Sequence, residues 1–132
     1  MKLADKFQEK VKAEVDKFDD MSLGQIKLSL VYGTGKLAEF LLGGDEETFQ
    51  VAVTTILRGL NLLEKRLNFV AVDLESPPDV YDSEQVVYLL AKAVSRIVEG
   101  DFYSGSARAK YWLTYYLTNF AKESGNALQS GD

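Results

Sequence analysis

The strongest constraint on the fold is the spacing of apolar residues, which recur three and four positions apart through most of the chain. This is the period of one face of an α-helix. In residues 2–18 the opposite positions alternate lysine with aspartate or glutamate, which supports a helix through local ion pairs. We therefore predict an amphipathic helix over 2–18, with its apolar face made by Leu3, Phe7, Val11, Val15 and Phe18.

A capping motif marks the start of the second predicted helix. Ser22 and Gln25 match the S-x-x-Q capping box, in which each side chain accepts a hydrogen bond from the main chain of the other residue. The apolar repeat that follows runs to about Leu42. Gly43 and Gly44 come next and are suited to end a helix, because glycine adopts a positive φ without strain. The sequence therefore predicts a helix over about 22–42.

The second predicted helix has an alternative interpretation as a strand over part of its length. Part of the stretch from Ile26 to Tyr32 alternates as a half-buried strand would. An α+β fold with one short strand near 25–32 therefore stays an alternative. On the helical interpretation, Gly33 lies on the packing face and lets a second helix approach closely.

The other predicted helices begin at residues that favour the N-cap position. Asp45 begins one, either Asp82 or Ser83 begins the next, and Asp101 begins the last, since their side-chain oxygens can accept from free N–H groups of the first turn. Gly100 before Asp101 is typical of a tight corner between two helices. The predicted helices are 45–67, 83–99 and 101–123.

These elements predict an all-α fold, a compact bundle of four to five helices. The length of 132 residues suits one domain, which we place at 1–124, with a flexible C-terminal tail at 125–132. Pro77 and Pro78 exclude helix from the connection before the fourth long helix. That connection, over 70–82, is expected to be mobile or ordered by a partner.

The formal net charge of −5 is concentrated in one segment. Residues 70–84 hold no base and five acids, and the rest of the chain is neutral, with fifteen acids and fifteen bases. A broad basic surface for nucleic acid is therefore not expected. The acids of the segment are Asp73, Glu75, Asp79, Asp82 and Glu84.

The chain contains no cysteine and no histidine, which limits the chemistry that it can perform. Thiolate and imidazole catalysis are excluded, and so are the commonest zinc ligands. No pair of acids at helical spacing lies on an apolar face, so we expect no metal, no cofactor and no catalytic residues. The preferred interpretation is a non-catalytic binding or assembly protein acting through protein–protein contacts. The alternatives are a carboxylate-dependent, Mg²⁺-assisted enzyme on phosphate substrates and a nucleic-acid-binding accessory protein.

The last helix supplies the candidate contact surface. At 100° per residue, most of its large apolar side chains fall in one arc, which predicts a core face. Tyr111 and Tyr115 fall outside that arc. Tyrosine beside arginine and asparagine is typical of binding hot spots. The predicted partner-binding residues are Arg108, Tyr111, Tyr115, Asn119 and Lys122, together with Asp79, Tyr81 and Asp82 of the acidic segment.

The expected partner is another protein or a second copy of the chain, with a homodimer favoured. The mildly basic surface of one copy would dock the acidic segment of the other. The sequence shows no stretch of 18 apolar residues and no secretory signal at its start, so a cytoplasmic protein without a membrane partner is expected.

Overall fold

The computed structural model describes residues 3–68 and 81–123. These residues form five α-helices and no strand, so the all-α prediction is confirmed and the strand near 25–32 is wrong. The predicted tail and residues 69–80 lie outside the described part. The helices are α1 (Leu3–Val15), α2 (Leu23–Leu41), α3 (Glu46–Leu67), α4 (Ser83–Val98) and α5 (Phe102–Glu123), with a short 3-10 helix, Asp16–Phe18, after α1.

The predicted caps set the helix boundaries. The Ser22 hydroxyl accepts from the Gln25 N–H at 3.1 Å, and the Gln25 side-chain oxygen accepts from the Ser22 N–H at 2.8 Å. Asp45 accepts from the Thr48 N–H at 2.9 Å and so begins α3. Each bond satisfies a main-chain donor that the first helical turn leaves free.

Two antiparallel helix pairs make up the bundle. Helices α2 and α3 form one pair, α4 and α5 form the other, and the pairs meet where α2 packs on α4 and α3 packs on α5. The corner between α4 and α5 needs Gly100, whose φ is +108°. Lys27, near the start of α2, lies over the ring of Phe102, which follows the end of α4. Helices α2 and α4 therefore run antiparallel.

Glycine allows close contact inside both pairs. A Cβ atom built on Gly33 would come within 2.7 Å of the Ile56 side chain of α3, which confirms that Gly33 lies on the packing face. A Cβ atom on Gly105 would come within 2.6 Å of Ile97 of α4. Real Cβ atoms do not approach so closely, so these two positions fix how near the paired helices lie.

Helix α1 covers one side of the four-helix bundle. It packs on α3 and α5, and its Phe7 and Val11 are buried. Phe7 contacts the ring of Phe49, which itself stacks on Phe120 with 4.2 Å between ring centroids. Arg66 of α3 donates hydrogen bonds to main-chain carbonyls of the link between α1 and α2. These contacts hold α1 on the α3–α5 side.

Candidate functional site

The opposite side of the bundle carries a long apolar groove between α2 and α4. None of the helices that the structure describes lies over this groove, whose volume is about 660 Å³. We call it the apolar groove. The residues that line it are Val31, Thr34, Gly35, Ala38, Leu41, Leu42, Glu84, Val87, Tyr88, Ala91, Val94, Ser95 and Val98.

Helix α2 is apolar on two faces, and this is the origin of the groove. Its core face, including Leu30 and Leu37, is fully buried. Its outer face exposes large apolar side chains, with an exposed fraction of 70% for Leu28 and 49% for Val31. Leu42, which caps the end of α2, is 87% exposed. A helix with one core face normally turns charged residues to solvent. The second apolar face of α2 is therefore an apolar surface that the described residues leave exposed.

Helix α4 forms the other wall. Tyr88 and Val98 are exposed along its outer edge, while Ala91 and Ser95 lie between them and line the groove. Small residues, including Gly35 of α2, thus line the groove between large exposed apolar residues. A surface with both hollows and protruding apolar groups can receive the protruding groups of a similar surface.

Charged groups near the apolar groove are engaged locally. Glu84 is the one charged residue among the described residues that line it. The Lys36 ammonium contacts the Glu39 carboxylate at 3.1 Å, and this hydrogen bond and charge raise the pKa of Lys36. The same ammonium lies 5.7 Å from the centre of the Tyr32 ring. The groove itself therefore presents mostly apolar surface.

The structure corrects the expectation for Tyr115. This side chain is only 5% exposed, and its hydroxyl accepts from the Tyr81 N–H at 3.1 Å and donates to the Tyr81 carbonyl at 2.8 Å. The residues before α4 therefore cover a face of α5 that helical periodicity alone would leave to solvent. Tyr115 belongs to the core and cannot lie on an exposed ridge.

The other predicted α5 residues are not arranged as one exposed ridge. Tyr111 is half-buried, with its ring perpendicular to that of Trp112 at 5.2 Å, and Asn119 is half-buried too. Arg108 is exposed as expected. The side chain of Lys122 lies outside the described part of the structure.

The predicted residues of the acidic segment have separate positions. Tyr81 is half-buried against Trp112, with 5.0 Å between ring centroids. Asp82 is exposed and caps α4, its carboxylate accepting from the Gln85 N–H at 2.8 Å. Asp79 lies outside the described residues. Trp112 is thus the centre of an aromatic cluster that joins the start of α4 to α5.

A second groove lies between α4 and α5 and adjoins the apolar groove, with which it shares Tyr88, Ala91 and Ser95. Its volume is about 590 Å³, and we call it the basic groove. Lys92 and Arg96 line it from α4, and Arg108 and Trp112 line it from α5, with Glu99 as its acidic residue. The structure therefore places Arg108 beside two cations of α4, a combination that the sequence analysis did not predict.

Within residues 3–68 and 81–123, no group of three or more acids is placed to hold a metal ion. None of the described helices is long and apolar enough to cross a membrane. Comparison with protein-family models, with curated proteins and with solved structures gives no match to this chain.

Sequence reasoning missed the apolar groove, although a signal for it is present. Val31 and Tyr32 follow Leu30 directly, and Leu28 precedes it, so the apolar positions of α2 extend well beyond one helix face. On α4, Tyr88 and Val98 lie outside the core stripe in the same way. The sequence does not show that these two outer faces lie side by side, because that depends on how the helix pairs pack.

Proposed function

We propose that this chain is a non-catalytic assembly protein that forms a homodimer through the apolar groove and its exposed apolar edges. The observation that carries the proposal is the second apolar face of α2, lying beside the exposed face of α4. Large exposed apolar patches on a folded protein are typical of interaction sites. Depletion of charge at the centre of such a patch is typical of a protein–protein interface.

A second copy suits this surface because the same face carries both complementary parts. In a two-fold arrangement the contacting patches are identical, so each must hold hollows and protrusions that fit each other. Here Val31 and Tyr88 protrude, while Gly35 and Ala91 leave space. In the dimer, α2 and α4 of one copy would pack against α2 and α4 of the other, in the way that helices pack within one bundle.

The size of the surface also suits a dimer. A stable interface takes about 800 Å² from each partner. That is roughly a tenth of the 7345 Å² surface of the chain. Helix α4 alone is about 24 Å long at 1.5 Å per residue, and α2 is longer. Two such helices side by side provide a contact area of the required order.

A matched pair of substitutions tests the proposal. Val31 lies on the edge of the apolar groove with 49% of its surface exposed, and Val51 lies on α3 outside the groove with 39% exposed. Val31→Glu places a carboxylate in the interface, whereas Val51→Glu places the same group on a surface that the dimer leaves free. Sedimentation equilibrium measures the mass, which is 14.7 kDa for one copy and twice that, 29.4 kDa, for two.

We expect the wild-type protein and Val51→Glu to sediment as dimers and Val31→Glu to sediment as a monomer. A monomeric wild type at millimolar concentration would refute the homodimer. A dimer that survives Val31→Glu unchanged would place the interface elsewhere. Circular dichroism of all three proteins should show the same helix content, so that a change in mass reports assembly and not unfolding.

A further inference from the structure

We infer that the basic groove between α4 and α5 binds an acidic segment of a partner protein, a contact that adjoins the proposed dimer interface and shares Tyr88, Ala91 and Ser95 with it. The groove brings together Lys92, Arg96 and Arg108, with Glu99 as its one acid among the described lining residues. With Asp101, whose carboxylate contacts Arg96, the three positive and two negative charges leave a balance of +1. This is a local basic site in a chain whose formal net charge is −5.

The position of the cations follows from the helix geometry. Lys92 and Arg96 are four residues apart on α4, so their side chains leave the same face one turn apart. The short corner between α4 and α5 turns the chain back, so α5 runs antiparallel to α4, and Gly105 packs on Ile97 and Ala93. Arg108, one turn further along α5, therefore faces the two cations of α4 across the groove.

Two of the three cations already have local contacts, and the third has none among the described residues. The Arg96 guanidinium lies 3.5 Å from the Asp101 carboxylate, and the Lys92 ammonium lies 5.0 Å from the centre of the Tyr88 ring. Arg108 is exposed. Arginine presents a planar set of donors that binds a carboxylate in a two-bond contact. Arg108 is therefore the principal anchor for a carboxylate, with Lys92 as its neighbour.

The apolar part of the groove favours a peptide as the ligand. Trp112 and Leu89 line it beside the cations and can contact an apolar side chain between two acids. A nucleic-acid base would instead need an open ring on which to stack. The Trp112 ring is half-buried and packs perpendicular to the rings of Tyr81, Tyr111 and Tyr115. A half-buried ring held among three others is not the open ring that base stacking needs.

Fluorescence titration of the intact protein provides a direct test, since Trp112 is the single tryptophan of the chain. The probe is a synthetic peptide with the sequence of residues 70–84, which has five acids, no base and no tryptophan. A control peptide replaces each aspartate by asparagine and each glutamate by glutamine. We expect the acidic peptide to change the Trp112 emission saturably, with binding weakened by a rise in salt from 0.05 to 0.5 M.

Variants of the protein locate the contact. The double variant Lys92→Gln/Arg108→Gln should weaken peptide binding by about tenfold. The matched control Lys10→Gln/Lys12→Gln changes the net charge equally on exposed positions of α1 and should leave the affinity unchanged. The single variant Arg108→Gln, at a position on α5 outside the apolar groove, should weaken peptide binding and remain a dimer, whereas Val31→Glu should lose the dimer and keep the peptide. The two proposals can therefore fail separately.

Three results would overturn the inference. The first is no saturable response to the acidic peptide at millimolar concentration. The second is equal binding of the neutral peptide, which would show that charge is not recognised. The third is binding of single-stranded DNA or inorganic phosphate, but not of the peptide, with the same dependence on Lys92 and Arg108. That pattern would assign the groove to anions other than acidic protein segments.

Discussion

At the scale of single residues, Tyr115 has a structural role that its position in the helical pattern of α5 does not reveal. Its hydroxyl satisfies both the N–H and the carbonyl of Tyr81, and so fixes the start of α4 against α5. Its ring is buried, so truncation to a smaller side chain would disturb the core as well. The informative substitution is therefore the one that removes the hydroxyl and keeps the ring.

We expect Tyr115→Phe to lower the free energy of unfolding by about 1–3 kcal/mol, because two half-buried main-chain groups lose their partner. At a protein concentration low enough to give monomers, Tyr88→Phe, which removes an exposed hydroxyl from a residue with 58% exposure, should have almost no effect. Urea denaturation followed by circular dichroism measures both. Equal stability of Tyr115→Phe and the wild type would show that the bonds to Tyr81 contribute nothing.

The cap at Asp45 predicts a dependence of stability on pH. Hydrogen bonds from the Thr48 N–H and from the Thr48 hydroxyl hold the pKa of Asp45 below its ordinary value of 3.8. A carboxyl whose pKa is lower in the folded state stabilises the protein above the pKa that it has when unfolded. That stabilisation is lost as the pH falls through the folded-state pKa.

Asp45→Ala should therefore melt at a lower temperature than the wild type at pH 7, and the difference should shrink towards pH 2. Asp45→Asn keeps an acceptor oxygen without the charge, so its loss at pH 7 should be smaller. Thermal melts at several pH values measure these differences. A difference between Asp45→Ala and the wild type that stays constant from pH 7 to pH 2 would contradict the assignment.

At the scale of helices, α2 provides a test in which two neighbouring glycines should respond with opposite sign. A Cβ atom on Gly33 would lie 2.7 Å from the Ile56 side chain and 3.2 Å from the Ala52 carbonyl oxygen, whereas a Cβ atom on Gly35 would meet nothing within 4 Å. Gly33 thus permits the contact between α2 and α3. Gly35 has no such contact among the described residues.

Gly33→Ala should destabilise the protein by about 1–3 kcal/mol through overpacking. Gly35→Ala should stabilise it by up to about 1 kcal/mol, since alanine favours helix more than glycine does. Chemical denaturation at a protein concentration low enough to give monomers measures both without a contribution from assembly. A stabilising Gly33→Ala would mean that the α2–α3 contact is looser than the structure shows.

The helices show which features the sequence could predict. Caps such as the Ser22–Gln25 pair and the core stripe of α2 are local, because each depends on residues three or four apart. The covering of Tyr115 by Tyr81 joins residues 34 positions apart, and helical periodicity contains no information about it. The two grooves could not be predicted from periodicity for the same reason, since each is formed by the faces of two different helices. Arg108 was predicted as a binding residue, but its neighbours Lys92 and Arg96 were not.

At the scale of the whole molecule, the described helices cover one side of the bundle and leave the other side uncovered. Helix α1 packs over α3 and α5, where its Phe7 and Val11 are buried, and no described helix does the same over α2 and α4. The apolar surface left on the uncovered side is the reason for proposing a second copy there. A second copy would cover the α2–α4 side of the bundle, as α1 covers the α3–α5 side.

The most direct test of this account is the mass of Gly35→Glu by sedimentation equilibrium, measured beside the wild type. Gly35 lines the apolar groove, and a Cβ atom built there meets no atom of the described residues within 4 Å. The substitution should therefore leave the fold intact while placing a carboxylate in the interface. We expect 29.4 kDa, twice 14.7 kDa, for the wild type and 14.7 kDa for Gly35→Glu. A folded Gly35→Glu that sediments at the wild-type dimer mass would contradict the account.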